Sequence, residues 1–139
     1  MANIPKLPAD GERLITEFKG QIVHEHLHRY SIARLYTTGK DVLDIACGEG
    51  YGSNLLSKSS KSVTGVDIAE NAIAHARAKY QHKNLKFVAG SCTSIPLPSR
   101  SIDVALTFET IEHITEHEIF IKELKRVLRP DGLLIISSP

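Results

Sequence analysis

The sequence has few cysteines, no tryptophan and no long apolar run. Two cysteines among 139 residues are too few for a disulfide framework or a cysteine-based zinc site. The longest purely aliphatic run, Leu133–Ile136, is far shorter than the roughly 20 residues that span a bilayer, and residues 1–20 contain no apolar core of a secretory signal. The 17 basic and 16 acidic residues leave a net charge of +1, which argues against a nucleic-acid module or a polybasic membrane binder. We therefore expect a soluble cytoplasmic protein.

The remaining composition is that of an ordinary folded domain. Hydrophobic residues make up 42% of the chain and charged residues 24%, which is typical of globular proteins. The length corresponds to one domain. Early proline and glycine residues predict an irregular arm before the first helix. We therefore divide the chain into an N-terminal arm and helix over residues 1–38 and a single core over residues 39–139.

Short apolar segments alternate with helical segments throughout the core. The predicted strands are Asp41–Ala46, Ser62–Asp67, Leu85–Ala89, Asp103–Phe108 and Leu133–Ser137. The predicted helices cover residues 22–36, 51–58, 70–80 and 117–128; the last ends near Pro130, which disfavours helical geometry in the preceding residue. This alternation predicts an α/β fold with a doubly wound, mainly parallel sheet of about five strands. In such sheets the ligand site lies beyond the carboxyl ends of the strands.

A glycine-rich loop follows the first predicted strand. Gly48 and Gly50 allow the backbone to turn sharply and a ligand to approach it closely. Asp67 ends the second strand, 19 residues after Gly48, where a carboxylate can accept hydrogen bonds from ribose hydroxyls. The loop does not fit the dinucleotide motif, because Ser53 or Leu55 occupies the place of its third glycine. The alternative to a ligand site is a purely structural role, in which the loop is a tight strand-to-helix turn with a helix cap.

Four segments in order carry a resemblance to a known family. They are DVLDIACGEG (41–50), GVDIAENAIAHARAKY (65–80), FVAGSCTSIPLPSRSIDVALTFETIEHI (87–114) and ELKRVLRPDGLLIISSP (123–139). With these segments the chain resembles the class I S-adenosylmethionine-dependent methyltransferases, particularly their small-molecule branch. The upstream segment 11–30 looks like the leader of methyltransferases linked to surface-polysaccharide synthesis. The resemblance implies a Rossmann-like fold, S-adenosyl-L-methionine as cofactor, and O-methylation of a sugar or other small-molecule hydroxyl.

The resemblance also implies roles for individual residues. Asp44, with the backbone around Ala46 and Gly48, would face the methionine amino group, and Asp67 would hold the ribose hydroxyls. The other implied cofactor contacts are Gly50, Ile68, Ser91 and Cys92, together with Phe108 and Glu109 near the sulfonium. Two positions depart from the family pattern. Ala46 replaces a glycine, and Ser91 replaces an acid that would bind the adenine amino group, so we expect a modest loss of cofactor affinity.

Two carboxylates and a histidine follow the fourth predicted strand. If a helix begins there, Glu109, Glu112 and His113 share one face, and such a set can bind a divalent metal ion. The spacing resembles that of metal-dependent O-methyltransferases acting on small-RNA ends and ubiquinone precursors. Without a metal, His113 assisted by Glu112 is the candidate catalytic base. Helix capping or packing is the structural alternative, because acids favour a helix start.

Two further expectations concern the ends of the chain. His24, His26 and His28 alternate near the N-terminus, and we interpret them as solvated or as part of a substrate lid rather than as a metal site. The family pattern usually continues after the fifth strand with antiparallel strands that this chain lacks. We therefore expect an incomplete domain whose fifth strand is an open edge, which predicts a homo-oligomer formed through Leu133–Ser137. A non-catalytic cofactor-binding or scaffolding domain is the alternative function, and a nicotinamide-binding module is a weaker third.

Overall fold

Residues 21–139 are the part of the chain that the computed structural model describes. Its strands are β1 (Asp41–Ile45), β2 (Ser62–Asp67), β3 (Leu85–Ala89), β4 (Ile102–Phe108) and β5 (Leu128–Ser137). Its α-helices are α1 (Gln21–Thr37), α2 (Tyr51–Ser57), α3 (Glu70–Lys79) and α4 (His117–Val127), and a 3₁₀ turn covers Ile111–His113. The predicted irregular arm over residues 1–20 lies outside the described residues. None of the described helices is long and apolar enough to cross a membrane.

The five strands form one sheet in the order β3-β2-β1-β4-β5. Every neighbouring pair is parallel, so the predicted α/β, Rossmann-like sheet is confirmed. The chain moves outward from β1 to β3 and then returns to the other side of β1. The strand order therefore reverses between β1 and β4, and ligands in this class of sheet bind at that point, beyond the carboxyl ends of the strands.

Helices cover both faces of the sheet, and β1 shows the reason in its sequence. Val42 packs in the cluster that contains residues of α1, α2 and α3, whereas Leu43 packs in the cluster that contains residues of α4. Side chains of a strand alternate between its faces, and a strand buried on both faces is apolar at nearly every position. β1 contains two polar residues: Asp41 at its start is half-buried, whereas Asp44 is 1% exposed.

The last strand differs from the prediction. The predicted fifth strand is Leu133–Ser137, but β5 begins at Leu128, directly after α4, and contains Pro130–Gly132. The register of β4 with β5 shifts between Ile102, which pairs with Leu128, and Val104, which pairs with Leu133. This irregularity accommodates the additional residues of β5. Proline is tolerated there because β5 is an edge strand. Arg129 secures this segment by donating hydrogen bonds to Asp103 at 2.7 Å and Asp41 at 3.1 Å.

Candidate functional site

A cavity of about 340 Å³ lies at the carboxyl ends of the strands. Its volume is at the lower end of the range of small-molecule sites, roughly 300–1,000 Å³. The wall contains residues that follow β1, β2, β3 and β4, together with two residues of α1. The cavity therefore lies at the predicted point of strand-order reversal.

The loop after β1 is held in a left-handed backbone conformation at alternate positions. The φ angles of Ala46, Gly48 and Gly50 are 63°, 58° and 94°. Ala46 and Gly48 line the cavity, but Gly50 does not. Gly50 instead shapes the turn, because a Cβ atom there would lie 2.7 Å from the ring of Phe87. A left-handed alanine costs roughly 1–2 kcal/mol, and the fold maintains this strain at a residue that faces the cavity.

Asp67 holds the glycine-rich loop and faces the cavity. Its Oδ2 accepts a hydrogen bond from the Gly48 amide at 2.9 Å, and its Oδ1 accepts one from the Ala69 amide at 2.9 Å. A carboxylate has about four acceptor positions, so lone pairs remain for hydroxyl groups of a ligand. The position and the fixed orientation of Asp67 fit a group that binds vicinal hydroxyls.

The side of the cavity that is formed by residues following β2 and β3 is apolar. Ile68 lines it and is 75% exposed, and Gly90 and Cys92 lie in the same wall. Burial raises the pKa of the Cys92 thiol, so the thiol stays protonated. Ser91 does not line the cavity, and its hydroxyl accepts a hydrogen bond from the Thr93 amide at 3.1 Å. Its predicted contact with the cofactor remains a prediction.

Asp44 lies beneath the cavity and does not line it. Its carboxyl accepts hydrogen bonds from the Tyr30 hydroxyl at 3.0 and 3.1 Å and from the Ser53 hydroxyl at 2.7 Å. Burial raises the pKa of Asp44 to about 7, against the effect of these hydrogen bonds. Asp44 therefore joins α1 to β1 and α2, and a direct contact with the methionine amino group remains a prediction.

The wall at the end of β4 carries the remaining polar groups. Phe108, Glu109 and His113 all line the cavity, as predicted for residues at this end of the sheet. Glu109 adopts a φ angle of 54° and forms an ion pair with Arg29 of α1 at 2.9 Å. Glu112 is outside the lining, but its Oε1 lies 3.6 Å from Nε2 of His113. This arrangement keeps His113 next to a carboxylate.

The predicted metal site at Glu109, Glu112 and His113 does not form. Glu109 precedes the 3₁₀ turn in a left-handed conformation, so these three side chains do not share a helical face. Its carboxylate is engaged by Arg29. Over residues 21–139 no group of three or more histidine, cysteine, aspartate or glutamate side chains is arranged to hold a metal ion.

His26, Tyr30, Tyr51 and Phe108 form an aromatic wall of this cavity. Phe108 is among the predicted site residues and His26 was interpreted as solvated or part of a lid, whereas sequence reasoning missed Tyr30 and Tyr51. The ring centroids of Tyr30 and Phe108 are 5.0 Å apart, and those of His26 and Tyr30 are 5.7 Å apart. Burial, with a smaller effect of the charge on Arg29, lowers the pKa of His26 to about 4. His26 is therefore neutral at pH 7. The four-residue spacing of His26 and Tyr30 on α1 was the available signal.

Comparison with known proteins gives a consistent family. Residues 43–136 match the family described as "Methyltransferase domain". A "Probable S-adenosylmethionine-dependent methyltransferase" of Mycolicibacterium smegmatis is 37% identical over 135 residues, which are 96% of this chain and 52% of that protein. A fatty-acid O-methyltransferase of the same species is 31% identical over 82% of this chain and 45% of its own length.

A solved structure shares the fold. The PH0226 protein of Pyrococcus horikoshii matches with a TM-score of 0.75 and 30% identity over 87% of this chain and 60% of that protein. The chain thus spans about half the length of the curated relatives that it matches. The family match covers most of the described sheet, including the glycine-rich loop and Asp67. This chain belongs to the class I S-adenosylmethionine-dependent methyltransferases.

Proposed function

We propose that this chain binds S-adenosylmethionine in the described cavity and transfers a methyl group to a hydroxyl of a small molecule. The observation that carries the proposal is Asp67. It faces the cavity with lone pairs still available, while its two oxygens fix the glycine-rich loop through amide hydrogen bonds at 2.9 Å. This arrangement suits a ribose, and the family to which the chain belongs uses a cofactor that contains one.

The other lining residues fit the rest of the cofactor. The exposed side chain of Ile68 offers an apolar surface to an adenine ring, with Cys92 beside it in the wall. Ala46 and Gly48 bring backbone close to the ligand, and Phe108 and Glu109 form the opposite end of the cavity. When bound, S-adenosylmethionine supplies a methyl group on a positively charged sulfur, so the main tasks of the protein are alignment and exclusion of water.

A hydroxyl acceptor must lose its proton during the transfer, and His113 is the residue that we assign as its base. His113 lines the cavity, and Oε1 of Glu112 lies 3.6 Å from its Nε2. The side chain of His113 is 49% exposed, so the accepted proton can pass to solvent. General bases of this kind contribute roughly 10²–10⁴-fold to rate.

The second part of the proposal concerns the identity of the methyl acceptor. The resemblance of residues 11–30 suggests a sugar, and most of that segment lies outside the described residues. The aromatic wall of His26, Tyr30, Tyr51 and Phe108 favours an acceptor with an apolar part next to its hydroxyl. One relative is named as a fatty-acid O-methyltransferase, which is consistent with that preference. A non-catalytic cofactor-binding domain remains the alternative.

Calorimetric titration with S-adenosylhomocysteine tests the first part of the proposal, with NAD as the control ligand. We expect micromolar binding, about −8 kcal/mol, and no binding of NAD. A folded chain that does not bind S-adenosylhomocysteine contradicts the proposal, and selective binding of NAD would identify a nicotinamide-binding module instead.

A methyl-transfer assay tests the second part, with hydroxylated sugars and hydroxylated lipids as acceptors. We expect His113→Gln to lower the rate of transfer about 100-fold or more and to leave the affinity for S-adenosylhomocysteine unchanged. Cofactor binding without transfer to any acceptor would support the non-catalytic alternative.

A further inference from the structure

Glu49 and His75 are two ionisable residues that the fold buries almost completely, and neither lines the cavity. Glu49 lies in the middle of the glycine-rich loop and is 2% exposed, and His75 lies on α3 and is 5% exposed. Oε2 of Glu49 lies 3.4 Å from Nε2 of His75. Carboxylates are almost never buried to this extent unless they have a partner. This contact therefore supports the burial of Glu49 and attaches the loop to α3.

The two neighbours of Glu49 in the chain show what the attachment does. Gly48, before it, lines the cavity and donates an amide hydrogen bond to Asp67 at 2.9 Å. Gly50, after it, packs so closely on α3 that a Cβ atom there would lie 2.9 Å from Cβ of Ala76. The loop is thus held on α3 at Glu49 and Gly50, while the adjacent Gly48 faces the cavity.

The conformation of the loop is one that needs such support. Its φ angles are positive at Ala46, Gly48 and Gly50. Glycine loses much conformational freedom when it is fixed, and strained backbone persists only where the surrounding structure holds it. One anchor of the loop is Asp67, which lines the cavity and is open to a ligand. The contact between Glu49 and α3 is a second anchor, and it is buried away from any ligand.

We propose that Glu49 and His75 are positioning residues, which hold the glycine-rich loop in its cofactor-binding conformation before the cofactor binds. This inference rests on the proposed function, because it assumes that the cavity takes S-adenosylmethionine. A purely structural role is the alternative, and the two roles predict different results. A structural contact changes the stability of the whole fold, whereas a positioning contact changes the affinity of the folded chain.

The variant His75→Leu removes the imidazole and keeps a side chain of similar size. We expect calorimetry of the folded chain to show S-adenosylhomocysteine binding weakened about 10-fold or more, the loss that follows when about a tenth of the molecules hold the loop in its binding conformation. His75→Gln keeps an N–H donor for the carboxylate and should bind nearly as tightly as the wild type. His82→Leu is the matched control, because His82 contacts Asn54 of α2 at 2.9 Å, outside the loop and the cavity lining, and its affinity should be unchanged.

The double variant Glu49→Met/His75→Leu separates positioning from stability. It replaces both buried groups with apolar side chains, and such replacements of buried charged groups are often neutral or stabilising. We expect its urea midpoint without ligand to equal or exceed that of the wild type, while its affinity for S-adenosylhomocysteine stays about 10-fold or more below. Because it leaves no buried carboxylate without this partner, the double variant also makes the test if His75→Leu does not fold.

The outcomes distinguish the inference from the proposed function. Wild-type affinity in folded His75→Leu or in the double variant would overturn the inference, even if the urea midpoint falls. An equal loss of affinity in His75→Gln or in the control His82→Leu would overturn it as well. Weakened binding in His75→Leu and in the double variant, with near-normal binding in His75→Gln, would support it. A folded wild-type chain that does not bind S-adenosylhomocysteine would refute the proposed function, and the inference with it.

Discussion

Replacing Asp44 with asparagine should change how the stability of this protein depends on pH. Asp44 is 1% exposed, and burial raises its pKa from an ordinary value of 3.8 to about 7. The folded state therefore binds more protons than the unfolded state between these two pH values. The contribution of Asp44 to stability is complete below pH 3.8 and is lost as the pH rises through 7.

The magnitude follows from the same two pKa values. Between these pKa values the free energy of unfolding falls by up to about 1.36 kcal/mol for each pH unit. Over about three pH units the loss of stability is therefore at most about 4 kcal/mol. Asparagine keeps the shape of the protonated acid and does not ionise. We therefore expect Asp44→Asn to gain stability relative to the wild type, by up to that amount, as the pH increases from about 4 to 8.

Urea unfolding followed by circular dichroism at a series of pH values measures this difference. His26 has a lowered pKa and adds an opposite slope below pH 6.5, but it is present in both proteins and its effect cancels. Asp103→Asn is the control. The hydrogen bonds from the Asp41 amide and from Arg129 lower the pKa of Asp103, so the stability that Asp103 contributes is lost only as the pH falls below 3.8. If the free energy of unfolding depends on pH in the same way for the wild type and Asp44→Asn, the reasoning is refuted.

Three other predictions concern the site and the sheet. Asp67→Ala should weaken S-adenosylhomocysteine binding by about 1.5–3 kcal/mol in a calorimetric titration, and unchanged affinity would remove the ribose assignment. Gly52→Ala should lower the free energy of unfolding by about 1–3 kcal/mol in urea, because its Cβ would lie 2.1 Å from the Tyr30 ring; an unchanged value would mean that α1 is not packed there. In the sheet formed by residues 21–139, β5 is an edge strand, and we predict that residues 133–137 pair with a second copy of this chain; light scattering that shows a monomer over a wide concentration range would contradict this prediction.

The sheet could be predicted because each strand carries its own signal. The β1 segment is apolar at Val42, Leu43 and Ile45, as favoured in a strand buried on both faces, and its observed bounds, Asp41–Ile45, differ by one residue from the predicted ones. The fifth strand was harder to predict because Pro130 and Gly132 are strong turn signals. Its extended conformation depends on an edge position in the sheet, and a local sequence pattern does not contain that information.

The site was predictable only in part. Residues placed by their own strand could be predicted, whereas contacts between residues far apart in the sequence could not. Asp67 and Gly48 follow strands directly, so the rule for carboxyl ends places them at the site. Tyr30 meets Phe108, which is 78 residues later in the chain, and no local pattern predicts how α1 packs on the sheet. The metal prediction was wrong because it assumed a helix at Glu109, whereas the backbone there is left-handed and the side chain pairs with Arg29.

The order of the strands has a consequence for how the site assembles. The segment from β1 to β3 is continuous in the chain and contains the glycine-rich loop, Asp67 and Ile68. The other half of the cavity depends on contacts between β4 and the α1–β1 segment, such as Val42 with Val104 and Tyr30 with Phe108, which lie far apart in the sequence. Contacts that close long loops form slowly, so we expect the half around the glycine-rich loop and Asp67 to become ordered before the half at the end of β4. A ligand that spans both halves therefore stabilises the last docking step of the fold.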